Sequence, residues 1–241
     1  MSALRRQVVP EELDDLKPED PRAQRSRRDL QRIHRAMRSV AILRGALARL
    51  RLRTPPRRII ELGSGDGTLV LRLARRLHPA WRTVELHLLD REPAVPRAIV
   101  AAYGELDWRP SILCQDALAW SRERNGARYD LCLVSLFLHH FAAPELRALL
   151  AGIAARCDAV VACEPERGRF ALLFSHFVGV LGANAITRGD AVKSVHAGFA
   201  GREIAAAWPL PADDWWLQEF RAWPFSHCFV AARRALRLAG A

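Results

Sequence analysis

Apolar residues recur at Leu30, Ile33, Met37, Val40, Leu43, Leu47 and Leu50, the three-and-four spacing of one helix face, with arginines filling the other faces. The spacing predicts one amphipathic helix, or two, over residues 22–53, stopped by Thr54, Pro55 and Pro56. Beyond that stop, short apolar runs alternate with helical stretches, which predicts β-α-β units and a largely parallel sheet, an α/β fold. Strands are expected near 58–62, 84–89, 111–114, 131–136 and 159–163, and helices near 68–77, 93–103, 117–124 and 144–156. The last part departs from the alternation. Two strand-like runs, 215–221 and 225–232, flank a short Trp-Pro turn and predict an antiparallel pair closing the sheet edge.

Residues 1–21 are charged and lack periodicity, so a flexible arm is expected there, followed by the helical extension to residue 53 and a domain over 54–241. A chain of 241 residues, half of them hydrophobic and 26% charged, can fill one core and wet its surface, which excludes global disorder. The five cysteines are scattered, with no Cys-x-x-Cys pair, so neither a disulfide framework nor a structural metal is implied. Reduced, mostly buried thiols and a first stretch unlike a signal peptide lead to the expectation of a cytoplasmic protein. The most apolar window, 170–186, is interrupted by Ser175, His176, Gly179, Gly182 and Asn184. It falls short of the roughly 20 apolar residues of a spanning helix, so no membrane partner is expected and the window reads as a buried or pocket-lining helix.

The net charge of +11 is almost wholly arginine, since Lys17 and Lys193 are the only lysines. Such a surface attracts anions, whether nucleic acid, anionic lipid or an acidic ligand, and a biased codon usage yields the same composition.

The chemistry concentrates in Ile59-Ile60-Glu61-Leu62-Gly63-Ser64-Gly65-Asp66-Gly67-Thr68, a β-branched strand entering a glycine-rich turn before a helix. Glycines at alternate positions permit positive φ and let backbone approach a ligand. Thr68 stands where a dinucleotide fingerprint wants its third glycine, which disfavours NAD. The glycines placed directly after Glu61 resemble the first motif of the class I S-adenosylmethionine-dependent methyltransferases. Leu86-His87-Leu88-Leu89-Asp90, a strand ending in a carboxylate, follows 29 residues after Glu61, and Cys114-Gln115-Asp116-Ala117 follows the third strand. Ser135-Leu136-Phe137-Leu138-His139-His140 looks like the turn after the fourth strand in small-molecule members, and Glu164-Pro165 like the end of their fifth. The resemblance implies a Rossmann-like, seven-stranded mixed sheet with helices on both faces and S-adenosylmethionine as cofactor. It further implies that Glu61, Gly63, Ser64, Gly65 and Gly67 wrap the methionine part, Asp90 takes the ribose hydroxyls, Arg91 flanks the adenine, Asp116 and Ala117 meet it, and Ser135 lies close by. Asp116 also suits a helix N-cap.

The sulfonium methyl is already activated, so the protein chiefly aligns an acceptor and excludes water. A phenol or enol acceptor gains from a base near neutral pH, and His139 and His140 stand at the mouth of the fourth strand, His140 being favoured as base or orienter. Either histidine could instead pack the turn. Nucleic-acid amino-methylating enzymes carry an Asn-Pro-Pro-Tyr-like tetrapeptide where this chain has Ser135-Leu136-Phe137-Leu138. The expected function is methyl transfer to a small aromatic or polyketide-like acceptor, as in secondary metabolism, with an RNA methyltransferase using the arginine-rich helix, or a non-enzymatic scaffold, as alternatives. Residues 166–210 are expected to form the acceptor pocket or a lid, with Phe170, Phe174, Phe177 and Phe199 as an aromatic lining or as ordinary core. Oligomeric state stays open.

Overall fold

The computed structural model describes residues 4–17, 19–123, 125–209 and 214–237. Position 124, the end of the helix expected near 117–124, and position 210, the last of the expected pocket segment, lie outside these residues, as do 1–3 and 18 of the expected arm. The amphipathic stretch forms two helices, α1 (Pro21–Ala36) and α2 (Ser39–Leu50). Asp20 caps the first by accepting from Arg22 N at 2.8 Å, with Pro21 in the first turn, where its missing N–H is not needed. The break falls at Arg38, whose φ of 55° leaves helical geometry.

Strands β1 (Arg58–Leu62), β2 (Val84–Asp90), β3 (Trp108–Cys114), β4 (Leu131–Ser135), β5 (Ala159–Pro165), β6 (Trp215–Ala222) and β7 (Ser226–Arg233) form one seven-stranded mixed sheet in the order 3-2-1-4-5-7-6. The first five strands are parallel, and β7 runs antiparallel to both β5 and β6. Helices α3 (Thr68–Leu77), α4 (Arg97–Gly104), α5 (Ala117–Arg122), α6 (Ala143–Arg156), α7 (Arg169–Ser175), α8 (Ala185–Ala197) and α9 (Glu203–Ala207) complete the described chain. Helix α4 starts later than expected because Pro96 biases Val95 away from helical geometry and the helix begins after it.

Both sheet faces are covered. Ile60, Val134 and Phe229 pack under α5, α6 and α9, whereas Ile59, Leu133 and Val230 pack under α2 and α3. Central strands therefore read as unbroken apolar runs rather than alternating ones. Ile59 and Ile60 are fully buried on opposite faces, each contributing about 2 kcal/mol relative to exposure.

Two expectations change. Residues 4–16, expected as a flexible arm, lie against the domain as a strap whose Glu12–Asp15 stretch is a 3-10 turn. Asp190 of α8 accepts from Glu12 N at 2.9 Å and Leu13 N at 3.0 Å, and Arg6 donates to Ala197 O and Phe141 O. Paired backbone groups hold this strap where periodicity gave no signal. The window 170–186 is not one buried helix: α7 ends at Ser175, a 3-10 turn covers Val178–Leu181, and Phe170, Phe174, Phe177 and Val180 are exposed. Among the described residues no helix is long and apolar enough to cross a membrane, and all five cysteines are free thiols.

Candidate functional site

The chain leaves β1 for β2 in one direction and reaches β4 on its other side, so the ends of β1 and β4 diverge and open a crevice, the usual ligand position of such sheets. A cavity of about 590 Å³ fills it. Its floor is the glycine turn, where Gly63, Gly65 and Gly67 have φ of 71°, 53° and 70°. A Cβ on Gly63 would come within 2.4 Å of Phe137, whereas one on Gly65 would meet nothing within 4 Å. Gly63 is therefore bare to let the β4 turn close over it, and Gly65 to keep the floor open. Gly67 is not on the wall: it turns the chain into α3, and its carbonyl accepts from the Tyr103 hydroxyl at 2.8 Å.

The other expected residues converge. Glu61, Gly63, Ser64, Gly65, Asp90, Arg91, Asp116, Ala117, Ser135, His139 and His140 all line the cavity. Asp90 accepts from Gly65 N at 2.8 Å and from Glu92 N at 3.0 Å, which fixes its carboxylate at the rim. Asp116 accepts from Ala119 N at 2.8 Å and so is the N-cap of α5 while also facing the cavity. Arg91 donates to Asp14 O at 3.0 Å, tying down the strap. Glu61 and Ser64 are buried, and among the described residues Glu61 Oε2 and Ser64 Oγ have no hydrogen-bond partner. Burial, together with Asp66 and Asp90, pushes the Glu61 carboxyl well above its ordinary value. Orphaned polar atoms in a cavity wall are what a polar, cationic ligand would satisfy.

The two histidines have different surroundings. His139 is buried, its Nδ1 2.8 Å from Glu164 Oε2 and its Nε2 3.3 Å from Glu11 Oε1 of the strap. Burial alone would push its pKa down, but the bonds to Glu11 and Glu164 outweigh it and raise it to about 9. His139 is thus cationic at neutral pH and holds no free nitrogen for a proton. Glu164 is itself fixed by the Phe137, Leu138 and His139 N–H groups. His140 Nδ1 lies 2.9 Å from Asp14 Oδ2, and burial, which raises Asp14, is outweighed by that bond, leaving this carboxyl below its ordinary value. Glu11, His139 and His140 bring one donor atom each within 4.8 Å of one another, a cluster the sequence did not reveal; with both His139 nitrogens bonded to carboxylates it is held as an ion pair.

Glu11, Asp14 and Glu164 were therefore missed as site residues. The first two lie in a stretch without periodicity, and the third ends an apolar run whose local pattern carries no sign of a histidine partner. From residues 166–209 only Ser194 reaches the cavity among the described residues, and Asp190 anchors the strap. Phe199 is core, while Phe170, Phe174 and Phe177 are exposed and off the cavity, so the expected aromatic lining does not form. Phe137 and Phe141, at 5.1 Å between ring centroids, take that place.

Residues 59–159 match a family model described as a methyltransferase domain. A curated relative, the tRNA1(Val) (adenine(37)-N6)-methyltransferase of Enterobacter sp. (strain 638), is 39% identical over 77 residues, which are 31% of this chain and 30% of that protein. An O-methyltransferase family protein from Burkholderia thailandensis superposes with a TM-score of 0.60 at 19% identity, covering 89% of this chain and 60% of that one. The plantazolicin methyltransferase BpumL, solved in complex with SAH, gives 0.63 at 13% identity over 90% and 92% of the two chains. The chain thus spans under a third of the curated relative's length and 60% of the Burkholderia protein's. Residues 59–159 thus match a methyltransferase domain, and the seven-stranded mixed sheet that carries them has the fold of the two solved methyltransferases.

Proposed function

We propose that the protein transfers a methyl group from S-adenosylmethionine to a small aromatic or polyketide-like acceptor, as a cytoplasmic enzyme of secondary metabolism. The observation that carries this reading is one cavity lined both by the glycine turn with Glu61 and Asp90 and by His140, Phe137 and Phe141. Glu61, Ser64 and Gly65 would hold the methionine end, Asp90 the ribose, and Asp116 with Ala117 the adenine. The bound cofactor supplies an electrophilic methyl on a sulfonium. His140, with Nδ1 held by Asp14, presents Nε2 toward the acceptor and takes its hydroxyl proton. The strap excludes water from above, and the His139 cation with Glu11 and Glu164 pins strap and turn together.

An RNA acceptor is the second reading, favoured by the curated tRNA-methylating relative. Ser135-Leu136-Phe137-Leu138, where amino-methylating nucleic-acid enzymes carry an Asn-Pro-Pro-Tyr-like tetrapeptide, weighs against it.

The test has two stages. Calorimetric titration should show S-adenosylmethionine binding that Gly65→Arg abolishes. Labelled-methyl transfer should then be sought on a panel of small phenols and on total RNA. Label on RNA alone would replace the small-acceptor reading, and no cofactor binding would remove both.

A further inference from the structure

We propose that the groove between α1, α2 and α3 binds the phosphate backbone of a nucleic acid. Residues 22–58 hold thirteen arginines and a single acid, Asp29. Asp29 is buried and already engaged by Arg32, Asn184 N and Thr187 Oγ1, so it neutralises little of that surface. On the facing helix, α3 adds Arg72, Arg75 and Arg76.

A groove of about 500 Å³ runs between these helices, lined by Arg35, Arg38, Arg44, Arg72, Arg75 and Arg76 and, among the described residues, by no carboxylate. A second groove, of about 570 Å³ on the other flank of α3, shares Arg35, Arg72 and Arg75 and likewise has no acid in its wall. Among the described residues none of the six arginines has a side-chain hydrogen bond or an ion pair. Arginines scattered by codon bias have no reason to converge without partners. Helix packing holds these together against their mutual repulsion, which is also why burial, Arg35 and Arg76 pull the Arg72 pKa down.

The shape selects the ligand. One phosphate saturates two or three guanidinium forks, whereas a row that crosses α3 from one groove into the next matches a repeating anion. A lipid surface would need apolar side chains beside the charges. The exposed large apolar residues of the described chain, among them Phe170, Val180 and Trp223, all lie off α1, α2 and α3. Gln31, Thr68 and Arg72 line both the second groove and the cofactor cavity, and Gln31 is hydrogen-bonded to Asp66 and Thr68, so this wall separates the two. The nucleic acid is held outside the acceptor cavity, and the inference does not depend on which acceptor is methylated.

Fluorescence anisotropy of a labelled single-stranded RNA, titrated with the full chain across a salt series, tests this. Six phosphate contacts predict a slope of log K against log salt of about −4, from about −0.7 per contact. The triple variant Arg35→Gln/Arg38→Gln/Arg76→Gln should bring the slope to about −2 and weaken low-salt binding more than tenfold. Its S-adenosylmethionine binding should stay that of the wild type, which reports both folding and the methyltransferase reading separately from the groove. Should the triple variant fail to fold, Arg44→Glu alone is expected to weaken RNA binding several-fold. A slope unchanged in the folded variants, salt-insensitive binding, tripolyphosphate binding as tightly as RNA, or tighter capture by phosphatidylserine vesicles would each overturn the proposal.

Discussion

His140 Nδ1 and Asp14 Oδ2 stand 2.9 Å apart, joining the turn after β4 to a strap residue 126 positions earlier in the chain. This contact keeps one imidazole nitrogen occupied, and in the proposed reaction Asp14 would position the ring and His140 would accept the proton. His140→Ala should lower kcat on the true acceptor by about 10²-fold or more with the cofactor Kd unchanged. Asp14→Asn should lower kcat less and displace the pH–rate profile. Full turnover by His140→Ala would discard the assignment.

His139 makes a pH prediction of a different kind. Its folded pKa of about 9 lies above the ordinary 6.5, so the folded state binds the extra proton. The stabilisation is complete below about 6.5 and is lost as pH rises through about 9. Melting temperatures of the wild type should fall across that window. His139→Gln should be less stable at pH 6 and show a flatter profile, and a wild-type profile as flat as the variant's would contradict the Glu11–His139–Glu164 arrangement.

Glu61 couples ligand binding to protons. Its carboxyl is buried without a partner at Oε2 and held well above its ordinary value by burial, Asp66 and Asp90, so ionising it opposes folding of the ligand-free protein. A cationic ligand reverses that preference and expels the proton, so affinity should rise with pH until the free carboxyl ionises. Calorimetry in buffers of different ionisation enthalpy would detect the released proton. Glu61→Gln should leave ligand-free stability no lower, weaken cofactor binding by about 10-fold or more, and abolish the buffer dependence.

The three glycines of the turn should separate stability from binding. Gly63→Ala forces a Cβ to within 2.4 Å of Phe137 at a φ of 71°, and should destabilise by about 2 kcal/mol or more in urea unfolding. Gly65→Ala has open space, pays only the positive-φ strain of about 1 kcal/mol, and projects into the cavity, so its larger effect should be on cofactor affinity. Equal effects of both on both quantities would contradict this division.

Asp190 should govern the strap. Its carboxylate accepts from Glu12 N and Leu13 N, and Asp190→Ala removes both bonds at once. Limited proteolysis should then cut within residues 4–16 several-fold faster, while cofactor binding changes little. Unaltered cleavage would mean that the contacts of Arg6 and Arg91 suffice to hold the segment.

Local pattern determined most of the scaffold: the strand-and-helix alternation, the glycine turn after β1 and the acid ending β2 each follow from a few adjacent residues, because turns and parallel strands are built from short-range backbone preferences and burial on both faces. Even the convergence of Glu61, Asp90, Asp116 and His140 on one crevice was legible, since strand ends of a parallel sheet must share an edge. Only tertiary structure decided what surrounds the histidines. Glu11 and Asp14 sit in a stretch with no periodicity, and pairing them with His139 and His140 required long-range docking through Asp190 and Arg6, which leaves no local trace. The phenylalanines of α7 and the turn after it carried an apolar signal yet stayed exposed, because hydrophobicity states a tendency to be covered and the packing of neighbouring elements determines whether a cover exists.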